Sequence, residues 1–232
     1  MQRSLAKRGL GGTVRAGLDY LTEPFASYRP RRLAKRFTDW RYDRRHHVDT
    51  SVPVVLGRLR IEAPSLRSGK RYQATSERIF RRALESLPIE HRNFAFLDFG
   101  SGKGKCLLMA ADYPFAEIVG VEFAPELVEI ARRNFRTYRS RRQKCRNLQT
   151  VACDAALYPV PARPSIFYFY NPFGPDILMK VVENIRRSLQ AFPRPAYFLY
   201  LNPFHREVFD QAGWLSILKE CPDYCIYVPD RP

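Results

Sequence analysis

A Rossmann-like α/β fold, a doubly wound and mostly parallel sheet with a C-terminal antiparallel hairpin, is what three features of the sequence predict. The first is the stretch FAFLDFGSGKGKCLLMAAD at residues 94–112. An apolar run reaches Asp98, breaks at Gly100, Gly102 and Gly104, and resumes as a helix of small and apolar residues. That order is a buried strand, a glycine turn and a helix, the way an α/β sheet presents a nucleotide-like ligand. The second feature lies downstream, where short apolar runs rich in Val, Ile, Phe and Tyr alternate with segments of helical spacing. The third is the ending: WLSILKE and YCIYV flank the turn CPD, a hairpin that sets one antiparallel strand near the sheet edge.

Residues 1–70 have weak periodicity and scattered breakers, among them Gly9, Gly11, Gly12, Pro24, Pro30 and Pro53, so short helices and loops are expected there. This extension holds 16 Lys and Arg against 6 Asp and Glu, a net of +10 out of +16 for the whole chain. In YRPRRLAKRFTDWRYDRRHH the rings of Tyr28, Phe37, Trp40 and Tyr42 interleave with arginines. Two readings are open: the rings stack on bases while the arginines hold phosphates, or they dock the arm onto the main domain. His46 and His47 lack partners for a metal site. The expected division is a basic extension over residues 1–70 and a catalytic domain over residues 71–232.

Within that domain, RYQATSERIFRRALESLP predicts an amphipathic helix with Thr75 or Ser76 as N-cap. Its apolar face is Ile79, Phe80, Ala83, Leu84 and Leu87, and Pro88 ends it. Tyr72 and Gln73 stand just before this helix, which returns them towards the glycine turn. EIVGVEF is the second strand and ends at Glu122, about 20 residues past the turn, where a βαβ unit sets a carboxylate against ribose hydroxyls. Pro125 and Glu126 start a helix with Leu127, Ile130, Ala131 and Phe135 on one face and a far end dense in Arg. LQTVACDA is a third strand ending at Asp154, followed by a Pro-rich connection in place of a full helix. SIFYFYNPFG is a fourth strand, and PDILMKVVENIRRSLQ its helix, with Leu178, Val181, Val182, Ile185 and Leu189 inward. AYFLYLNPF is a fifth strand, and a short helix near Arg206 closes at Gly213.

No apolar run approaches the roughly 20 residues needed to span a bilayer, so no membrane insertion is expected. The opening residues lack the apolar core of a secretory signal, which points to a soluble, cytoplasmic protein; their Arg-rich, acid-poor composition leaves an organelle transit peptide as a second reading. The five cysteines form no zinc pattern, so no metal is expected, and they suit a reducing compartment. Cys106 and Cys153 fall in segments that read as buried, and Cys145 in a basic helix end.

In this order the residues resemble the class I S-adenosylmethionine-dependent methyltransferases over about residues 72–228: DFGSGKG from Asp98 to Gly104, Glu122 and Asp154 at strand ends, NPF at Asn171, Pro172 and Phe173, and the closing hairpin. More narrowly, DFGSGKG with VGVEFAPELVEIARRN and YNPFG resembles a little-characterised bacterial group, distantly similar to the non-SET lysine methyltransferases. A dinucleotide enzyme would instead carry G-x-G-x-x-G.

The resemblance implies S-adenosyl-L-methionine as cofactor. Gly100, Ser101, Gly102 and Gly104 then form its turn, and Asp98 reaches its amino group. Glu122 takes the ribose, Phe123 covers the adenine, Asp154 and Ala155 meet the adenine amino group, and Asn171 and Tyr72 complete the site. A plainer reading of Asp98 and Glu122 is helix capping, and of Asp154 a turn. In methyltransferases of planar amines an N/D-P-P-Y/F loop holds the amine; here a single proline follows Asn171, so Asn171, Pro172 and Phe173 are either the catalytic corner or a strand-ending turn. The fifth strand repeats the corner as YLNPF, which makes Tyr170, Asn202 and Phe204, with Tyr72, candidates to line an acceptor pocket. The expected activity is N-methylation of a macromolecular acceptor, a protein side chain or an RNA base. The alternative is a non-catalytic module whose basic arm contacts RNA or an acidic partner.

Overall fold

A computed structural model of the chain describes residues 30–52 and 75–230. Its compact units divide between Tyr42 and Asp43; the expected boundary near residue 70, and with it Tyr72, Gln73 and Tyr28, lies outside the described residues.

One helix, α1 (Pro30–His46), runs for 17 residues where short helices were expected. Proline fits a first helical turn, where its missing N–H has no partner to lose, and Arg44, Arg45 and His46 sit in the last turn, where the helix dipole favours cations. The helix stops where His47 turns to a positive φ of 57°. In the first unit, Phe37 and Trp40 stack at 5.8 Å and Arg41 lies 6.0 Å above Phe37. Both rings are largely exposed.

The second unit is built on a seven-stranded sheet. In chain order its elements are α2 (Glu77–Glu85), β1 (Ala95–Phe99), α3 (Lys105–Ala110), β2 (Glu117–Glu122), α4 (Pro125–Thr137), β3 (Leu148–Ala152), β4 (Ser165–Tyr170), α5 (Pro175–Ala191), β5 (Ala196–Leu201), α6 (Glu207–Asp210), β6 (Leu215–Cys221) and β7 (Tyr224–Pro229). Across the sheet the order is β3-β2-β1-β4-β5-β7-β6. The first five strands are parallel, and β7 pairs antiparallel with both β5 and β6. The chain moves outward from β1 through β2 to β3, then re-enters beside β1 as β4, so the direction of winding reverses between β1 and β4. Such a reversal opens a crevice at the carboxyl ends of those strands.

Side-chain alternation decides which face carries what. Leu97, Phe99, Val119, Val121, Phe167, Phe169 and Phe198 share one core with Leu178, Val181, Val182, Ile185 and Leu189 of α5, the face the sequence predicted for that helix. On the opposite face Phe80 of α2 meets Phe96 and Tyr168 edge-on. Asp98 and Glu122, offset from the core positions of their strands by one residue, also belong to this opposite face. The α2 N-cap is Ser76, without a side-chain cap bond.

The connection from β3 to β4 holds a single 3₁₀ turn, Ala155–Leu157. It is tied down by α5, where Asn184 Nδ2 donates to Tyr158 O and Ser188 Oγ to Val160 O. The buried stripe of α4 differs from expectation: it is Leu127, Val128, Ala131 and Asn134, while Ile130 and Phe135 are half-buried. Asn134 turns inward because buried backbone groups meet its amide. Cys153 is partly exposed where burial was expected, because β3 lies at the sheet edge, and Cys145 lies past the end of α4. Among the described residues no helix is long and apolar enough to cross a membrane, and no group of three or more His, Cys, Asp or Glu is placed to hold a metal.

Candidate functional site

The glycine loop after β1 is stitched to β2: Gly100 N and Ser101 N both donate to Val121 O, at 2.8 and 3.2 Å. Gly100, Gly102 and Gly104 all have positive φ, 84°, 53° and 81°. A Cβ on Gly100 would lie 2.5 Å from Pro172 Cβ. The loop after β1 and the corner after β4 are therefore in direct contact, which only glycine permits at that position. At Gly104 a Cβ would meet Phe135 and Ala131 at 3.0 and 3.2 Å, so the loop also seats α4.

Glu122 closes the loop from the β2 side. Its Oε2 accepts from Gly102 N at 2.8 Å and its Oε1 from Ala124 N at 3.1 Å, the second bond at the start of α4. Burial pushes its pKa up, while the N–H groups of Ala124, Gly102 and Phe123 pull it down. Asp98 is 3% exposed, and no donor among the described residues reaches its carboxyl. Burial, and then the charge of Glu122, hold its pKa well above the usual carboxylate range. A buried carboxyl with no donor of its own is suited to receiving one from a ligand.

Behind Asp98 a polar cluster fills the space under α3. Thr75 Oγ1 lies 3.3 Å from Tyr168 OH, and Cys106 Sγ donates to Thr75 Oγ1 at 3.2 Å and to Tyr168 OH at 3.5 Å. Burial first, and then the Asp98 charge, push the Cys106 thiol up to about 12. It is a thiol and not a nucleophilic thiolate at neutral pH.

Sequence reasoning missed a second support of the loop. Lys103, 1% exposed, sends its ammonium to Asp49 Oδ1 at 2.9 Å. Asn134 locks this arrangement: its Nδ2 donates to Lys103 O and Asp49 O, both at 2.9 Å, and its Oδ1 accepts from Asp49 N at 2.8 Å. Asp43 in turn accepts from Thr50 N, Thr50 Oγ1 and Ser51 N. Asp43–Ser51, within the stretch the sequence assigned to the basic extension, is thus hydrogen-bonded within the second unit. The only advance signal was a charged residue inside a glycine-rich turn; its partner lies far away in sequence.

The remaining predicted residues are placed as follows. Cys153 N donates to Glu122 O at 2.9 Å, which brings the end of β3 beside the end of β2. Asp154, one residue on, is exposed and accepts from Ala156 N at 2.9 Å as the cap of the 3₁₀ turn; Ala155 is buried. Phe123 is half-buried. Ser101 turns its hydroxyl against Gly120, buried and without a hydrogen-bond partner among the described residues. Asn171 and Asn202 adopt the same left-handed backbone, φ 47° and 48°, and follow the paired residues Tyr170 and Leu201. Two equivalent corners thus leave neighbouring strands side by side. Phe173 is 8% exposed and packs with the α5 core, its ring tip near Gly100. Phe204 is 70% exposed and meets His205 edge-on. Asp98, the glycine loop, Glu122, Asp154 and the Asn171 corner lie together along the carboxyl ends of four adjacent strands, whereas Tyr72 is not described.

Comparison with known proteins bears on the domain and its fold. Residues 96–191 match the family model of a methyltransferase domain. No curated protein sequence matches the chain. Among solved structures, a predicted N6-adenine-specific DNA methylase from Listeria monocytogenes aligns with a TM-score of 0.51 and 13% identity, over 68% of this chain and 52% of that one. A dimethyladenosine transferase from Plasmodium falciparum aligns with a TM-score of 0.50 and 10% identity, over 69% of this chain and 64% of that one. At such identities the likeness is one of fold.

The Lys103–Asp49 pair is asymmetric, because the Lys103 side chain is 1% exposed and that of Asp49 47%. Removing Asp49 strands a buried ammonium, whereas removing Lys103 leaves a carboxylate that water can reach. Asp49→Asn is expected to cost about 2–4 kcal/mol in urea unfolding and Lys103→Met roughly 1 or less. The reverse order would contradict the pairing.

Proposed function

We propose that this enzyme, a methyltransferase that uses S-adenosyl-L-methionine, methylates a nitrogen atom of a macromolecular acceptor, an RNA base or a protein side chain. The observation that carries the proposal is the contact of Pro172 with Gly100: it supports a site in which the Asn171 corner adjoins the methyl-donor loop. The bound cofactor supplies a methyl group already electrophilic on its sulfonium sulfur. What is left to the chain is positioning, exclusion of water and removal of one proton.

On this reading the Asp98 carboxyl receives the ammonium group of the cofactor. Gly100 and Gly102 let the backbone approach its methionine part, Ser101 supports the turn from the β2 side, and Gly104 lets α4 pack against it. Glu122, already accepting from Gly102 and Ala124, has lone pairs left for the ribose hydroxyls. Phe123 offers a ring for the adenine, and Asp154 and Ala155 flank its amino group, with Tyr72 retained from the sequence as a further contact. Asn171 and the Pro172 carbonyl accept N–H bonds from the acceptor, so that a neutral amine presents its lone pair. Phe173 backs the corner from the core, and Tyr170, Asn202 and Phe204 frame the acceptor's approach. A nitrogen acceptor suits a corner furnished with hydrogen-bond acceptors.

Incubating the protein with methyl-labelled cofactor and cell extract tests the class of acceptor. Label in RNA or protein is expected; label confined to small molecules overturns the macromolecular reading, and cofactor binding without any transfer favours the non-catalytic module. Asn171→Ala is expected to lower kcat roughly tenfold with cofactor affinity unchanged. Equal losses in both would make Asn171 a structural corner only.

The raised pKa of Asp98 makes a second prediction. Below that pKa the free protein carries Asp98 as a neutral acid, and an arriving ammonium favours the carboxylate, so binding expels a proton. Cofactor affinity therefore rises with pH until the free-state pKa of Asp98 is passed. Calorimetry in buffers of different ionisation enthalpy should show proton release that Asp98→Asn abolishes. Heats independent of buffer would remove Asp98 from ammonium recognition.

A further inference from the structure

At the far end of α4 from the glycine loop the chain becomes strongly basic. Arg132, Arg133, Arg136, Arg139, Arg141, Arg142, Lys144 and Arg146 follow one another, with no Asp or Glu between Glu129 and Asp154. All eight are exposed. A run of this kind is ordinarily a solvated surface, since cations near a helix C-terminus are favoured by its dipole. Here part of it lines a cleft of about 670 Å³, with Arg45, Arg139, Arg141 and Arg142 in the lining beside the Arg81–Asp112 pair.

The cations of the cleft are unequally matched. Arg81 is paired with Asp112 and Glu77, and Asp112 also accepts from Ser140 Oγ at 3.0 Å. Arg139 directs its guanidinium to the carbonyls of Arg136 and Tyr138. Arg45, Arg141 and Arg142 have no ion-pair partner among the described residues. Two separate segments bring these charges together and are fastened to each other: Arg139 N donates to His46 O at 3.1 Å, His46 Nδ1 lies 2.8 Å from Arg139 O, and the His46 ring stacks on Tyr138. Like charges held together by a fixed backbone call for an anion between them.

We propose that this cleft binds the phosphates of an RNA strand whose base is presented to the cofactor crevice. The proposal rests on the RNA branch of the function given above and assigns that acceptor a second, remote contact. Guanidinium groups match phosphate oxygens two by two, and several such cations gathered in one cleft suit the regularly spaced phosphates of a single strand. The geometry also sets a length. α4 has 13 residues and begins just after Glu122, so cleft and crevice are separated by about 20 Å, a span that a strand of several nucleotides bridges.

The test is fluorescence anisotropy of a labelled single-stranded RNA of about 20 nucleotides with the full chain, between about 50 and 200 mM salt. The triple variant Arg45→Gln, Arg141→Gln, Arg142→Gln should bind about tenfold more weakly at the low-salt end and lose about 2 from the slope of log affinity against log salt. Its unfolding midpoint and its calorimetric affinity for S-adenosyl-L-methionine should match those of the unmodified chain, which establishes that it folds. Unchanged RNA affinity and slope would overturn the cleft, and so would polyglutamate displacing the RNA as well as unlabelled RNA does. Binding that depends on the cleft, with methyl label never entering RNA, would keep the phosphate site and overturn the RNA-base acceptor. Label in RNA with unchanged variant binding would do the opposite.

Discussion

The carboxylate of Glu122 is the constraint on which the rest of the second unit depends. Held 4% exposed at the end of β2, it needs donors, and it finds them in the N–H groups of Gly102 and Ala124. One side chain thereby fixes the glycine loop to the sheet and sets the start of α4. The loop's glycines take positive φ values, and on the other flank of β1 Gly100 abuts Pro172 after β4. The second carboxyl nearby, Asp98, has no such donors among the described residues. Of two buried acids on one sheet face, one is used by the fold and the other is the group we propose receives a ligand, and their environments separate them without any difference in residue chemistry.

This division extends to the surfaces around the crevice. In the proposed site the methyl-donor side is built from backbone and two buried acids. The proposed acceptor side is built from two left-handed Asn-Pro-Phe corners, one packed into the core through Phe173 and one exposed at Phe204. Lys103 and Asn134 connect the glycine loop to Asp49 within the second unit.

Much of this was legible in the sequence where local chemistry decides. The strand–glycine–helix order at Asp98–Gly104, the alternation of elements and the inward face of α5 depend on patterns within a few residues, and pattern reading recovers them. Contacts decided at long range did not show. Asn134 reads as a polar residue on the outer face of α4, and its burial makes sense only beside Lys103 O and Asp49. Lys103 reads as solvent-exposed until Asp49 arrives from the preceding segment. The Arg-dense end of α4 was visible as composition, whereas its pairing with Arg45 across the His46–Arg139 contact was not, because composition carries no information on which segments meet.

The central claim is that one crevice, formed by the loop after β1, the end of β2 and the corner after β4, holds the methyl donor. Hydrogen–deuterium exchange with and without S-adenosyl-L-methionine tests it most directly. Slower exchange is predicted together at residues 98–104, at Phe123 and Ala124 and at residues 171–174, with residues 139–146 unchanged. Protection confined to the arginine cleft or the first unit, or a glycine loop whose exchange does not respond to saturating cofactor, would contradict the account.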